Sequence, residues 1–160
     1  MRYSKDIGLC SIYARTTAER TSSTAMAEHD ASPRPPLVLL VDHCRDDLDL
    51  YCYALTSDGF VARCTADTAT ALSIAATERP DVIVTTLHLP GLGGYVLLDS
   101  ISADPRTREI PVIVLTADGR RAAREKALEF RPAEFHVKPL LPELLVAAVR
   151  RVHLVETRVA

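Results

Sequence analysis

Three features that would point to a class of function are missing from this sequence: an excess of charge of one sign, a long apolar run and a paired-cysteine motif. The formal net charge is only −2, so no overall field favours binding to nucleic acid or to an anionic membrane. No apolar run approaches the ~20 residues that are needed to span a bilayer. None of the four cysteines belongs to a CxxC pair, and we interpret them as small buried hydrophobes. The remaining composition, 48% hydrophobic and 25% charged over 160 residues, is typical of one globular domain with a modest extension.

The first part of the chain differs in composition from the rest. It is rich in Ser, Thr, Ala and charge and ends in SPRPP, which predicts a disordered leader or linker over residues 1–36. The segment IGLCSIYA is too short and too polar for the core of a signal peptide, so a cytoplasmic location is expected. The start of translation is left open between Met1 and Met26. Residues 37–155 are predicted to form the domain, and residues 156–160 a short tail.

Beyond the leader, short apolar runs alternate with segments of helical periodicity. The runs LVLLVD, FVARC, DVIVT, PVIVLTA and EFHV predict five strands, each followed by a helix. Strands that are apolar at nearly every position indicate a parallel sheet covered by helices on both faces. Right-handed crossovers then predict a doubly wound five-stranded α/β sheet in the order 2-1-3-4-5, which is a flavodoxin-like (βα)5 fold. Asp46 or Asp47 is predicted to cap the first helix.

In such a sheet the ligand crevice lies at the carboxyl ends of the strands, where the first and third strands are neighbours. Polar side chains follow the strands at this edge: Asp42, His43, Thr86, His88, Thr116 and Lys138. The third strand runs into the glycine-rich turn LPGLGG, and the fifth ends in VKP. The sequence therefore predicts a polar site at this edge of the sheet.

These features, with the stretches ADPRTREIPVIVLTA and FHVKPLLPELLVAAV, resemble the receiver domain of bacterial response regulators. The resemblance covers roughly residues 37–153. In that family an aspartate at the tip of the third strand accepts a phosphoryl group from a histidine kinase. Acids after the first strand hold Mg²⁺, which offsets charge on the transferring group. A lysine neutralises a phosphoryl oxygen, a Thr or Ser hydroxyl bonds the phosphate, and an aromatic residue on the fifth strand follows it inward.

Several positions match the pattern that the resemblance implies. Thr116, Phe135 and Lys138 stand at the switch and phosphate-site positions, and Asp42 stands at the first of the two acids. Asp42 and Lys138 are expected to pair, which leaves the pocket a formal charge of zero. The family also implies a cis peptide bond between Lys138 and Pro139.

Two positions depart from the pattern. Thr86 occupies the phosphoacceptor position, and a threonine hydroxyl is protonated at neutral pH and needs an adjacent base to attack phosphorus. His43 occupies the position of the second acid, and a neutral imidazole is a poor ligand for Mg²⁺. We therefore expect a degenerate pseudo-receiver with no catalytic residue, no enzyme activity, and lost or weak Mg²⁺ binding.

The resemblance implies a stand-alone response regulator in bacterial two-component, or phosphorelay, signalling that acts through protein–protein interaction. The expected partners are a histidine kinase or a downstream effector. They would bind through the fourth helix, fifth strand and fifth helix, or through the first helix; no nucleic acid and no membrane partner is expected. Arg131 lies in FRPAE, where receivers usually have a small glycine-containing turn, and because it precedes Pro132 it is expected to be extended rather than left-handed.

A different class of function stays open at the same crevice. Asp42, His43 and His88 could together hold a metal ion such as Zn²⁺, since two imidazoles and a carboxylate are common zinc ligands. The chain would then be a metal-binding or small-ligand-binding flavodoxin-like domain, or an enzyme built on that fold.

Overall fold

The computed structural model of this protein describes residues 34–159, with side chains through residue 155. Nearly all of the predicted leader lies outside these residues. Within them the five strands form one parallel sheet in the order β2-β1-β3-β4-β5, which confirms the predicted fold. The strands are β1 (Leu37–Val41), β2 (Val61–Thr65), β3 (Val82–Thr85), β4 (Val112–Thr116) and β5 (Glu134–Val137). The helices are α1 (Arg45–Ser57), α2 (Thr68–Glu78), α3 (Gly93–Ala103), α4 (Arg121–Leu128) and α5 (Pro142–Val159).

The sheet is buried on both faces because its three central strands are apolar except for a threonine at the end of β3 and of β4. Every residue of β1, β3 and β4 is buried. Successive side chains of a strand point to opposite faces, so Leu39 and Val41 pack under α2, α3 and α4, whereas Val38 and Leu40 pack under α1 and α5. The two helical layers leave the carboxyl ends of the central strands as the edge at which polar side chains meet.

The ends of the helices differ in two places from the sequence prediction. The predicted cap of α1 by Asp46 or Asp47 is wrong: the N-cap is Cys44, whose side chain makes no capping bond. The helix begins early because the Asp42 carboxylate accepts a hydrogen bond from the Cys44 amide at 2.9 Å and turns the chain there. At the other end of the domain, α5 continues through Val159 and includes most of the predicted short tail.

The turn between α4 and β5 also differs from expectation. Arg131 has a φ of +51°, so the prediction of an extended conformation before Pro132 is wrong. The Arg131 amide donates to the Leu128 carbonyl at 3.0 Å, and the Ala133 amide donates to Val112 at 2.8 Å. These bonds set the start of β5 in register with β4, and that requirement overrides the local preference of a residue before proline. The predicted cis bond between Lys138 and Pro139 is present.

No helix within residues 34–159 is both long enough and apolar enough to cross a membrane.

Candidate functional site

The strand register brings Asp42 and Thr86 to one edge of the sheet. Val41 pairs with Thr85 at the last rung between β1 and β3, so the residue that follows each strand lies at the same level. The Thr86 amide donates to the Val41 carbonyl at 3.1 Å. Both Asp42 and Thr86 are buried, as expected for one shared crevice.

Lys138 reaches this crevice from the end of β5. Its amide donates to the Thr116 carbonyl at 2.8 Å, which holds the chain beside β4. Its ammonium contacts Oδ2 of Asp42 and lies 2.6 Å from Oδ2 of Asp47. The expected pair with Asp42 is therefore present, together with a second carboxylate that the sequence analysis did not place in the site.

The two carboxylates determine the protonation state of the lysine. Burial lowers the pKa of Lys138, but the hydrogen bonds and the attraction of Asp42 and Asp47 outweigh burial, and the net pKa lies above its ordinary value. Lys138 is therefore a permanent cation at neutral pH. With Asp47 included, the formal charge of the cluster is −1 rather than the zero deduced from the sequence.

From the sequence, Asp47 was predicted to cap α1 rather than to belong to the crevice. An acid in the first turn of a helix is usually assigned to the cap or to the helix dipole. Here α1 begins close to the crevice. The carboxylate of Asp47, in the first turn of the helix, therefore contacts the ammonium of Lys138 at the end of β5. The short distance along the chain between the end of β1 and the start of α1 could have predicted that Asp47 lies at the crevice.

Thr86 lies at the end of β3 with its backbone enclosed. Its carbonyl accepts a hydrogen bond from the Thr85 hydroxyl at 3.1 Å. The start of α3 packs so closely that a Cβ added to Gly94 would lie 2.2 Å from that carbonyl oxygen. Among residues 34–155, no side chain that could act as a base forms a hydrogen bond with the Thr86 hydroxyl.

Thr116 lies at the end of β4, and Phe135 lies within β5. Thr116 is fully buried, and its hydroxyl accepts a hydrogen bond from the Asp118 amide at 3.1 Å. Phe135 is partly buried against the cluster under α3 and α4, and the Arg124 guanidinium lies 5.2 Å from the centre of its ring. A hydroxyl and an aromatic side chain are thus placed on the two strands that flank the crevice.

The two histidines do not form a common ligand set with Asp42. Nδ1 of His43 is 3.5 Å from Oδ1 of Asp42, whereas Nε2 of His88 is 3.8 Å from Oδ2 of Asp118. Both imidazoles are more than half exposed. In the described part of the chain, no three His, Cys, Asp or Glu side chains are grouped so that they could hold a metal ion. The alternative based on Asp42, His43 and His88 is therefore not supported.

Asp118 is a further acid at this edge that the sequence analysis did not single out. Arg120 donates hydrogen bonds to it from both its side chain and its backbone, and these bonds lower the pKa of Asp118 to about 2. Asp118 is thereby held as an anion by Arg120, and its Oδ2 also lies 3.8 Å from Nε2 of His88.

The donors in the crevice do not fit Mg²⁺ well. Mg²⁺ takes hard oxygen ligands in a near-octahedral arrangement. Here the Asp42 carboxylate is already bonded to Lys138 and to the Cys44 amide, and Asp47 is bonded to the same lysine. The other two residues at which the resemblance calls for acids are Thr86, a neutral hydroxyl, and His43, an exposed imidazole.

Comparison with protein families matches residues 38–150 to the response regulator receiver domain. Among curated proteins, the chain is 34% identical over 113 residues to the response regulator PleD of Caulobacter vibrioides, covering 71% of this chain and 25% of PleD. It is 30% identical over 115 residues to the phosphate regulon transcriptional regulatory protein PhoB of Escherichia coli, covering 72% of this chain and 50% of PhoB. The chain thus spans about a quarter to a half of the length of these curated relatives.

Solved structures give the same picture of the fold. A response regulator from Chloroflexus aurantiacus J-10-fl superposes with a TM-score of 0.71 at 28% identity, covering 75% of this chain and 98% of that one. The receiver domain of the sensor histidine kinase PA1611 from Pseudomonas aeruginosa PAO1 gives a TM-score of 0.69 at 28% identity, covering 74% of this chain and 98% of that one. That neighbour holds a magnesium ion in its active site cleft.

Proposed function

This chain belongs to the response regulator receiver domain family, and from that premise we propose that it works in two-component signalling without an acyl phosphate at position 86. In this proposal the chain is a pseudo-receiver of the bacterial cytoplasm that has no enzymatic turnover and passes its signal through contacts with a histidine kinase or an effector.

The observation that carries the proposal is the state of Thr86. The family chemistry needs a nucleophile at the end of β3 that is ionised at neutral pH. Thr86 offers a neutral hydroxyl, and within residues 34–155 no base is hydrogen-bonded to it. A threonine held in this way fills the space of the acceptor without supplying its charge.

The state of Lys138 supports the same conclusion. In the family a lysine at this position neutralises an oxygen of the phosphoryl group. Here Lys138 is already bonded to Asp42 and Asp47, so a phosphoryl group would have to displace at least one carboxylate. The lysine thus offsets one of the two carboxylate charges from within the chain, which reduces the need for an added divalent cation.

The surface through which the chain would signal is the face formed by α4, β5 and α5, with α1 as the other candidate. Leu128 and Val137 are exposed on this face. The left-handed turn at Arg131 replaces the usual glycine-containing turn between α4 and β5 and gives the face a local shape of its own. A partner that binds this surface would recognise the chain without any phosphorylation of it.

The direct test is labelling by a small phosphodonor. The full chain is incubated with acetyl phosphate and Mg²⁺, and its mass is measured intact. We expect no gain of a phosphoryl group. Acid-labile, hydroxylamine-sensitive phosphate on the wild-type chain would overturn the proposal, with Asp42 as the first acid to examine.

A further inference from the structure

Helices α1 and α5 border an apolar groove with a volume of about 900 Å³, and none of the crevice residues lines it. Leu50 and Tyr53 line it from α1, and Leu154 and Val155 line it from α5. All four are exposed, and Tyr53 is the most open of them at 74%. A contiguous exposed apolar surface of this kind marks a site of association.

The groove runs along α5 from one edge of the sheet towards the other. Glu143, in the first turn of α5, lies at the edge that carries the crevice, because α5 follows the carboxyl end of β5. Leu154 lies at the opposite end, where Arg150 of α5 pairs with Asp58 at the end of α1. With a rise of about 1.5 Å per residue, Glu143 and Leu154 are about 17 Å apart along the helix.

Residues 1–33 are attached to the domain at the Leu154 end of this groove. The Pro36 carbonyl, just before β1, accepts a hydrogen bond from the Val61 amide at 2.9 Å. Val61 begins β2 after the short turn that follows Asp58. The chain therefore enters β1 at the edge of the sheet where α1 ends.

One stretch of residues 1–33 is apolar enough to cover the groove. Residues 7–14, IGLCSIYA, carry isoleucine, leucine and tyrosine side chains, whereas residues 16–33 are mostly small or polar. A segment with so few apolar residues cannot bury them by itself, but it can bury them on an apolar surface of the folded domain.

The chain between this segment and the domain has the length that the groove requires. As a flexible linker, residues 16–33 have a root-mean-square end-to-end distance of about 21–25 Å. The groove is about 17 Å long, and a linker that matches its span gives an effective concentration on the order of millimolar. A second copy of the chain or a separate protein has to compete with this local concentration, which favours the chain's own segment as the occupant.

The charges of the groove fit the same arrangement. Among the described side chains, Glu143 has no ionic partner, whereas both arginines of the groove are already paired within the domain. Arg15 directly follows the apolar segment. With residues 7–14 in the groove, Arg15 lies at the crevice end and neutralises the unpaired carboxylate.

We propose that residues 7–14 of this chain occupy the α1–α5 groove, with Arg15 beside Glu143 and residues 16–33 as the linker to β1. The segment covers Leu50 and Tyr53, so the groove is closed to other proteins as long as the segment is bound. This contact does not involve position 86 and is independent of whether that position is phosphorylated.

The test places the photocrosslinker p-benzoylphenylalanine in the full chain in place of Tyr53. After irradiation, mass spectrometry of tryptic peptides should find a crosslink to residues 7–14 in a product of monomer mass. The same probe in place of Leu128, which is exposed on α4, should give no such crosslink. A product of doubled mass, equal crosslinking from position 128, or no crosslink to residues 7–14 overturns the proposal.

Substitutions in the segment show whether its apolar side chains make the contact. Leu9→Asp with Ile12→Asp should lower the crosslink yield about tenfold or more, because both place a charge in an apolar groove. The matched control, Thr21→Asp with Thr24→Asp, adds the same charges at the same spacing in the linker and should leave the yield unchanged. Equal yields from the two double variants would contradict docking of residues 7–14.

A charge exchange shows whether Arg15 meets Glu143. Glu143→Arg and Arg15→Glu should each lower the crosslink yield about two- to fivefold, as expected for an exposed ion pair. The chain that carries both substitutions should regain a yield close to that of wild type, which separates loss of contact from loss of fold. A double variant that crosslinks no better than the weaker single variant overturns the proposal.

Discussion

The ammonium nitrogen of Lys138 lies 2.6 Å from Oδ2 of Asp47, so the end of β5 is tied to the first turn of α1 across the crevice. The same ammonium contacts Asp42, which is 4% exposed, whereas the Asp47 side chain is 30% exposed. An unpaired, buried Asp42 carboxylate would destabilise the fold, so its contact with Lys138 is needed. Asp47 is only partly buried, so it attracts the lysine with a smaller desolvation penalty. Together the two carboxylates hold the lysine inside the protein.

Removing Asp47 should therefore weaken the fold more than removing its neighbour. Asp47→Ala should lower the free energy of unfolding by about 1 kcal/mol more than Asp46→Ala, after allowance for solvent screening of a partly exposed pair. Both acids lie in the first turn of α1, so loss of the favourable helix-dipole interaction is common to the two variants. Urea unfolding monitored by circular dichroism measures the difference. Equal losses in the two variants would contradict the stabilising role of the Lys138 contact.

Restoring the missing acids should restore the response to Mg²⁺ and beryllofluoride. Thr86→Asp alone should recover little, because Asp42 would be the only acid at the end of β1 and it is bound to Lys138. Thr86→Asp with His43→Asp should gain a raised thermal midpoint on addition of both ligands; a ligand at 100 times its dissociation constant stabilises a fold by about 2.7 kcal/mol. Without ligands the double variant should be less stable than wild type, since more carboxylates then crowd one lysine.

The matched control for this rescue is Thr86→Asp with His88→Asp. His88 is exposed and contacts Asp118 rather than Asp42, so a carboxylate there adds the same charge without adjoining Asp42. We expect no thermal shift with Mg²⁺ and beryllofluoride in this variant. A shift equal to that of the His43→Asp combination would show that charge alone, rather than ligand position, governs the response.

The contact between α3 and the end of β3 should not tolerate a methyl group. Gly94→Ala places a Cβ 2.2 Å from the Thr86 carbonyl oxygen, so it should cost about 1–3 kcal/mol of stability through overpacking against backbone. Gly119→Ala is the comparison, because its Cβ would meet only the Val137 side chain at 3.1 Å, which can move aside. Thermal unfolding of the two variants provides the measurement, and a Gly94→Ala variant as stable as Gly119→Ala would show that α3 can withdraw from the site.

The loss of folding stability at acidic pH should depend on Glu134. Hydrogen bonds from the Arg151 side chain outweigh burial, and with a further bond to His136 they hold the pKa of Glu134 below its ordinary value. A carboxyl with a depressed pKa contributes stability that is present above its unfolded pKa of 4.5 and is lost as pH falls through the folded value. Between pH 6 and pH 3, wild type should lose more stability than Glu134→Gln. A Glu109→Gln variant, at an exposed acid, should follow the wild-type profile.

Most of the fold and part of the site could be predicted from the sequence because the relevant physics is local. Short, continuous apolar runs are typical of strands that are covered on both faces, and the helical segments between them favour a parallel sheet. The register of such a sheet then brings Asp42 and Thr86 to one edge. The absence of an acid at position 86 needs no structure to be seen, since it is a property of the residue itself.

Tertiary structure alone determined which charges meet in the crevice. Asp47 and Lys138 are separated by 91 positions, and the local pattern around Asp47 is that of an ordinary helix start. Arg131 likewise takes a left-handed conformation that its own neighbours disfavour, because β5 must begin in register with β4. In both cases an interaction between distant segments outweighs a local preference worth only about 1 kcal/mol, and no window of the sequence contains both partners.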